Sequence, residues 1–65
     1  MEYSNSQIRD LIAEYIHSER DREILCRRLI DGVVFERLAE EFDMSVSQIK
    51  RIVQKCSATV FRHLK

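Results

Sequence analysis

The stretch FERLAEEFDMSVSQIKRIVQKCSATVF, running from Phe35 to Phe61, decides the fold of this chain. Its first eight residues place Phe35, Leu38, Ala39 and Phe42 on one side of a helix, with Glu36, Arg37, Glu40 and Glu41 on the other. Asp43, Met44 and Ser45 then interrupt the pattern. Asp tolerates the left-handed conformation that a tight helix–helix turn needs, and Ser45 is a good N-cap for the next helix. In that second helix Val46, Ile49, Ile52, Val53, Cys56, Val60 and Leu64 fill roughly a third of the circumference at 100° per residue. Ser47, Gln48, Lys50, Arg51, Gln54, Lys55, Ser57 and Arg62 occupy the rest, and Phe61 is the exception, a large apolar residue falling among them. The pattern predicts a short helix, a three-residue turn and a long basic helix, locked together by Leu38, Phe42, Ile49 and Val53.

Two more helices precede this pair. Ser4 and Gln7 have capping-box spacing, and Ile8, Leu11, Ile12, Tyr15 and Ile16 come next on one face. Ser18 is suited to cap a second helix that opens with Glu19 and Asp21, acids favoured at the positive end of a helix dipole. Leu25, Cys26, Leu29 and Ile30 form its expected buried stripe, and Gly32 its expected left-handed C′ residue. Val34 is a weak N-cap for the helix from Phe35. Tyr3 and Ile24 fall outside their helices' apolar arcs and suggest a modest second apolar patch. One Gly, no Pro and no strand-like alternation make the expected class all-α: a single domain over residues 1–65, with four helices whose last two form a helix-turn-helix at about residues 35–56.

The formal net charge of zero conceals a strong asymmetry. Up to Asp43 there are six basic and eleven acidic residues, a net −5. From Met44 onward there are five basic residues and no acid, a net +5. A purely basic amphipathic helix behind an acidic body is suited to a polyanion on one face only. The helix-turn-helix class places its second helix in the major groove, with the N-terminal turns on base edges. Here those turns carry Ser47, Gln48 and Arg51 as candidate base contacts, since Arg matches guanine and Gln matches adenine. Arg37, Ser45, Lys50, Gln54 and Lys55 are candidate contacts to the DNA backbone, with Ser45 and the first-turn N–H groups suited to a phosphate. Phe61 is the candidate contact for a second copy or for a partner protein.

The segment ERDREILCRRLIDGVVFERLAEEFDMSVSQIKRIVQKCSATVFRHL, residues 19–64, resembles region 4 of the sigma-70 family of transcription initiation factors. The likeness runs without gaps through ERDREIL, Gly32, FERLAEEF and MSVSQIKRIV, and covers about 70% of the chain. LuxR-type DNA-binding domains share the pattern. The resemblance implies promoter-type DNA contacts from Ser47, Gln48 and Arg51 and backbone contact from Arg37 on the support helix. Val34 stands where the family usually has a Ser or Thr cap, and Asp43 where it usually has a turn Gly. Nothing in the sequence matches the parts that recognise or melt a downstream promoter element, so a complete sigma factor is not expected. The expected function is sequence-specific binding of double-stranded DNA, as a transcriptional regulator of phage or mobile-element type. The alternative is a module that docks on RNA polymerase or on a sigma factor.

Other chemistries find little support. Cys26 and Cys56 lie on apolar stripes and read as small buried hydrophobes. Together with His17 and His63 they match no compact zinc spacing, so no metal and no cofactor is expected. No nucleophile–base pairing or Gly-rich phosphate loop points to an enzyme. No apolar run approaches the ~20 residues that span a bilayer, and no secretory signal opens the chain, so a cytoplasmic protein without membrane contact is expected.

Overall fold

A computed structural model describes residues 4–63. The chain forms α1 (Asn5–Tyr15), α2 (Glu19–Leu29), α3 (Phe35–Phe42) and α4 (Val46–Arg62), with no strand among the described residues. The domain measures 32 × 20 × 16 Å. α2 and α4 pack on each other, and each also packs on both remaining helices, whereas α1 and α3 do not meet. α4 rests mainly on α2 and α3, and α1 braces the back of the pair.

Local chemistry sets most of the boundaries. At α1 the Ser4 hydroxyl accepts from the Gln7 N–H at 3.1 Å, while the Ser4 N–H donates to Gln7 Oε1 at 3.0 Å. This reciprocal box satisfies two donors that the helix itself cannot. Ser18 caps α2 by accepting from the Asp21 N–H at 3.3 Å. α3 begins at Val34 with no side-chain cap, as its residue type dictates. Asp43 ends α3 in the left-handed region, at φ 55° and ψ 49°, and the Met44 N–H returns to the Ala39 carbonyl at 2.9 Å. That six-to-one bond is the Schellman closure, here built on Asp in place of Gly.

Gly32 is left-handed, at φ 71°, but it lies beyond the C′ position expected for it. α2 stops at Leu29 with Ile30 as its C-cap, because the Asp31 N–H reaches five residues back to the Cys26 carbonyl at 3.3 Å and widens the last turn. The left-handed residue then lets the Val33 N–H return to the Arg27 carbonyl at 3.1 Å and aims the chain into α3.

The core consists of Ile12, Ile16, Ile24, Leu25, Leu38, Ile49, Val53, Cys56 and Val60. It is aliphatic apart from one thiol, and among the described residues no polar side chain is buried with it. Leu38 and Ile49 are completely enclosed where α3 meets α4. Phe42 packs at the edge of that contact and keeps partial exposure, so it is a margin of the core and not its centre. Burial of the Cys56 thiol, followed by the nearby Asp21 carboxylate, raises its pKa.

One expectation is overturned in α2. Ile24 is fully buried, not part of a second apolar patch, while Cys26, Leu29 and Ile30 are only partly buried. A helix covered by three neighbours is apolar over more than one narrow stripe, and Ile24 and Leu25 both point into the packed side. Tyr3 and Leu64 lie outside the described residues.

Ile24 and Ile30 offer a same-residue test of this setting. Ile24→Ala should cost about 2–5 kcal/mol, the range for emptying a closed aliphatic site, and Ile30→Ala distinctly less. Urea unfolding of the two variants measures the difference; equal costs, or the reverse order, would mean that α2 is rotated from the position described.

Candidate nucleic-acid interface

The apolar stripe of α4 dictates what its other side presents. Ile49, Val53, Cys56 and Val60 face inward, and Ser47, Gln48, Lys50, Arg51, Gln54 and Lys55 are all exposed. Val46 and Ile52 are partly buried at the border between the two sides. Every ionisable group on the exposed face is cationic, since no acid occurs after Asp43. Among the described residues Lys50, Arg51, Lys55 and Arg62 make no salt bridge, whereas Arg20, Arg27 and Arg37 of the body all do.

The first turn of α4 is closed by a second capping box. The Ser45 hydroxyl accepts from the Gln48 N–H at 3.1 Å, and the Ser45 N–H donates to Gln48 Oε1 at 3.0 Å. The Ser45 hydroxyl also lies 3.3 Å from the same oxygen. The spacing Ser45-x-x-Gln48 carries this signal in the sequence, although the exposed position of Gln48 on a basic helix points first to a base contact. Among the described residues Ser47 and Arg51 have no such internal engagement.

Lys50 leans toward the start of α3, with Nζ 5.8 Å from the centre of the Phe35 ring. The Arg28 guanidinium stands closer to the same ring, at 4.3 Å, and donates to the Val33 carbonyl at 3.0 Å. These contacts tie the end of α2 to the start of α3, where the backbone lacks a side-chain cap. Arg22 does the corresponding work at α1: its Nε donates to the Ile16 carbonyl and its Nη2 to the Ala13 carbonyl at 3.1 Å. Neither arginine can be identified from periodicity, because each serves carbonyls that lie outside its own helix.

Arg37, the candidate backbone contact on α3, is held loosely. Its Nε is 3.4 Å from Glu41, and its side chain is 67% exposed. Glu41 is gripped more firmly from α2, where Arg27 donates Nε to Oε1 at 3.1 Å and Nη2 to Oε2 at 2.5 Å. The hydrogen bond from Arg27 is the main reason that the Glu41 carboxyl titrates below its ordinary range; partial desolvation opposes it, and the charge of Arg27 adds to it. The same pair raises the Arg27 guanidinium. Beside this pair Arg27, Val33, Val34 and Arg37 line an open cleft of about 320 Å³ between α2 and α3. Val34 is 57% exposed there.

At the far end of α4, Phe61 is 49% exposed. His63 stacks flat on Tyr15 of α1, with ring centres 3.8 Å apart and planes within 3°. The two rings belong to opposite ends of the chain, so no local pattern announces the contact. Gln54 and Lys55 extend the exposed face toward this end, and Arg62 continues it.

No family model matches the chain, and no curated protein or solved structure shows significant similarity to it. No helix among the described residues is long and apolar enough to cross a membrane.

The Arg27–Glu41 pair gives a pH prediction with a definite sign. A carboxyl whose folded pKa is depressed adds stability above its unfolded value, about pH 4.3, and loses it as pH falls through the folded value. Wild type should therefore exceed Glu41→Gln in melting temperature at pH 6–7 by a constant margin, and that margin should shrink as pH falls below about 4.3. Thermal melts across this range provide the check; a margin independent of pH down to about pH 2 would show that the ion pair contributes nothing.

Proposed function

We propose that α3 and α4 act as a helix-turn-helix and that the domain binds double-stranded DNA sequence-specifically. The observation that carries this proposal is the exposed face of α4, where polar and cationic side chains stand without a single acid and, among the described residues, without internal ion pairs. A merely solvated helix face has no need to exclude acids over its whole length. α3 and the Asp43 turn support α4 from one side, and the buried stripe prevents it from rolling. In this arrangement Ser47, Gln48 and Arg51 are the base contacts. Lys50, Gln54 and Lys55 hold phosphates, Arg37 joins them by swinging off Glu41, and the Ser45 end of α4 directs its remaining N–H groups to another phosphate. The resemblance of residues 19–64 to sigma-70 region 4, and to LuxR-type domains, supports the same assignment. Transcriptional regulation in a phage or mobile element is the role that fits a domain of this kind. Phe61 is the residue offered to a second copy on an adjacent half-site, about one helical turn away.

The cleft between α2 and α3 favours a second reading. An exposed Val34 flanked by Arg27 and Arg37 suits an acidic, apolar segment of a protein such as RNA polymerase or a sigma factor. This cleft is lined by residues of α2, α3 and their connection and leaves the α4 face itself free, but it shares Arg37 with the proposed phosphate contacts, so the two partners would draw on one guanidinium.

Binding to duplex DNA separates the roles within the α4 face. Arg51→Ala should weaken the preferred site by about 1–3 kcal/mol while leaving random duplex nearly unchanged. Lys55→Ala should weaken both alike and make the log–log salt slope less steep by about one. Equilibrium binding to a duplex selected from a random pool, and to a scrambled control, tests this. If Arg51→Ala matches wild type on both, the groove-facing side is a different one.

A further inference from the structure

We propose that Gln48 reads bases as a hydrogen-bond donor alone, selecting a guanine or a thymine edge and rejecting adenine. This rests on the DNA-binding proposal above and adds a rule of specificity to it. A glutamine matches adenine through both ends of its amide: the oxygen accepts from N6–H while the nitrogen donates to N7. In this domain the oxygen is already committed. Both lone pairs of Gln48 Oε1 are taken, one by the Ser45 N–H at 3.0 Å and the other by the Ser45 O–H, which donates at 3.3 Å. The orientation of the amide is fixed by chemistry, because a backbone N–H can only face the oxygen. Nε2 is thus the end left over, and it carries two donors and no acceptor on an exposed side chain.

A donor-only group meets O6 and N7 of guanine, or O4 of thymine, without conflict. Against adenine it finds N7 but crowds its own N–H against N6–H. Turning the amide over to suit adenine would leave the Ser45 N–H unpartnered at the first turn of α4, so the capping box and the adenine contact compete for one oxygen. The box also restricts the side chain before DNA arrives, so little rotamer freedom remains to be lost on binding.

The experiment uses the full chain as wild type, Gln48→Ala and Gln48→Glu. Each selects duplexes from a random pool at about pH 7, and hydrogen exchange at the Ser45 amide is compared in each free protein and in the wild-type complex. At the one position whose preference disappears in Gln48→Ala, wild type should favour guanine or thymine over adenine about tenfold, and the pool itself distinguishes the two. Ser45 should stay protected in the complex. Gln48→Glu keeps an acceptor for the box, so Ser45 should remain protected in the free variant. Its second oxygen should turn the preference toward cytosine N4–H or adenine N6–H. Adenine preferred by wild type, with Ser45 deprotected on binding, would overturn the proposal in favour of a two-ended amide. So would Gln48→Ala selecting the wild-type site, which would leave Gln48 a cap only. If wild type itself enriches no sequence, it is the DNA-binding proposal that fails, and this rule falls with it.

Discussion

The rotation of α4 about its own axis is the constraint on which everything else depends. Ile49 and Val60 are completely enclosed, and Val53 and Cys56 nearly so. At about 100° per residue, a slip of one position would bring Lys50 and Gln54 toward the core. Burying an unpaired ammonium costs far more than the domain could sustain, given the roughly 5–15 kcal/mol stability typical of a folded chain. The inner stripe therefore fixes which side chains face outward, and Leu38 on α3 and Leu25 on α2 build the wall that the stripe meets. The polar and cationic face of α4 is held outward because its opposite side has no freedom.

Charge reinforces this division. The body satisfies most of its arginines internally, with the exposed Arg9 of α1 as the exception: Arg20 with Asp21, Arg27 with Glu41 and Asp31, Arg37 with Glu41. Two more, Arg22 and Arg28, are occupied with backbone carbonyls at helix ends. The cations of α4 have no such obligations among the described residues. With a Debye length of about 8 Å at physiological salt and a domain 32 Å long, charges on the far side of the body are largely screened from an anion held at α4. For the proposed encounter with DNA, the local sign of the surface would matter more than the net charge of zero.

Helix ends are legible in the sequence wherever the deciding chemistry is local. The Ser4–Gln7 box, the Ser18 cap, the Asp43 turn and the Ser45 cap all act within a few residues of themselves, and each stands where its residue type predicts. The stripe of α4 is legible for a related reason, since its other side stays open to solvent and the contrast between the two is clean. α2 is harder to read, because a helix enclosed by three neighbours loses that contrast, and Ile24 looks misplaced in the sequence when it is central in the fold. Gln48 is legible by halves: its place on the exposed face follows from periodicity, but its engagement with Ser45 competes with the more obvious reading as a free base contact. Contacts between distant residues, such as Tyr15 on His63 or Arg27 on Glu41, leave no periodic trace. The cleft lined by Arg27, Val33, Val34 and Arg37 draws on neighbouring stretches of sequence but appears only once α2 and α3 are packed.

Amide chemical-shift mapping with a short duplex tests the central claim, that the acid-free face of α4 is where DNA binds. Titration should move the resonances of Ser47, Gln48, Lys50, Arg51, Gln54 and Lys55, together with Arg37 and the Asp43–Ser45 turn to a smaller extent, and leave α1 nearly still. Shifts centred on the α2–α3 cleft or on Phe61, with the α4 face unmoved at saturating duplex, would contradict it.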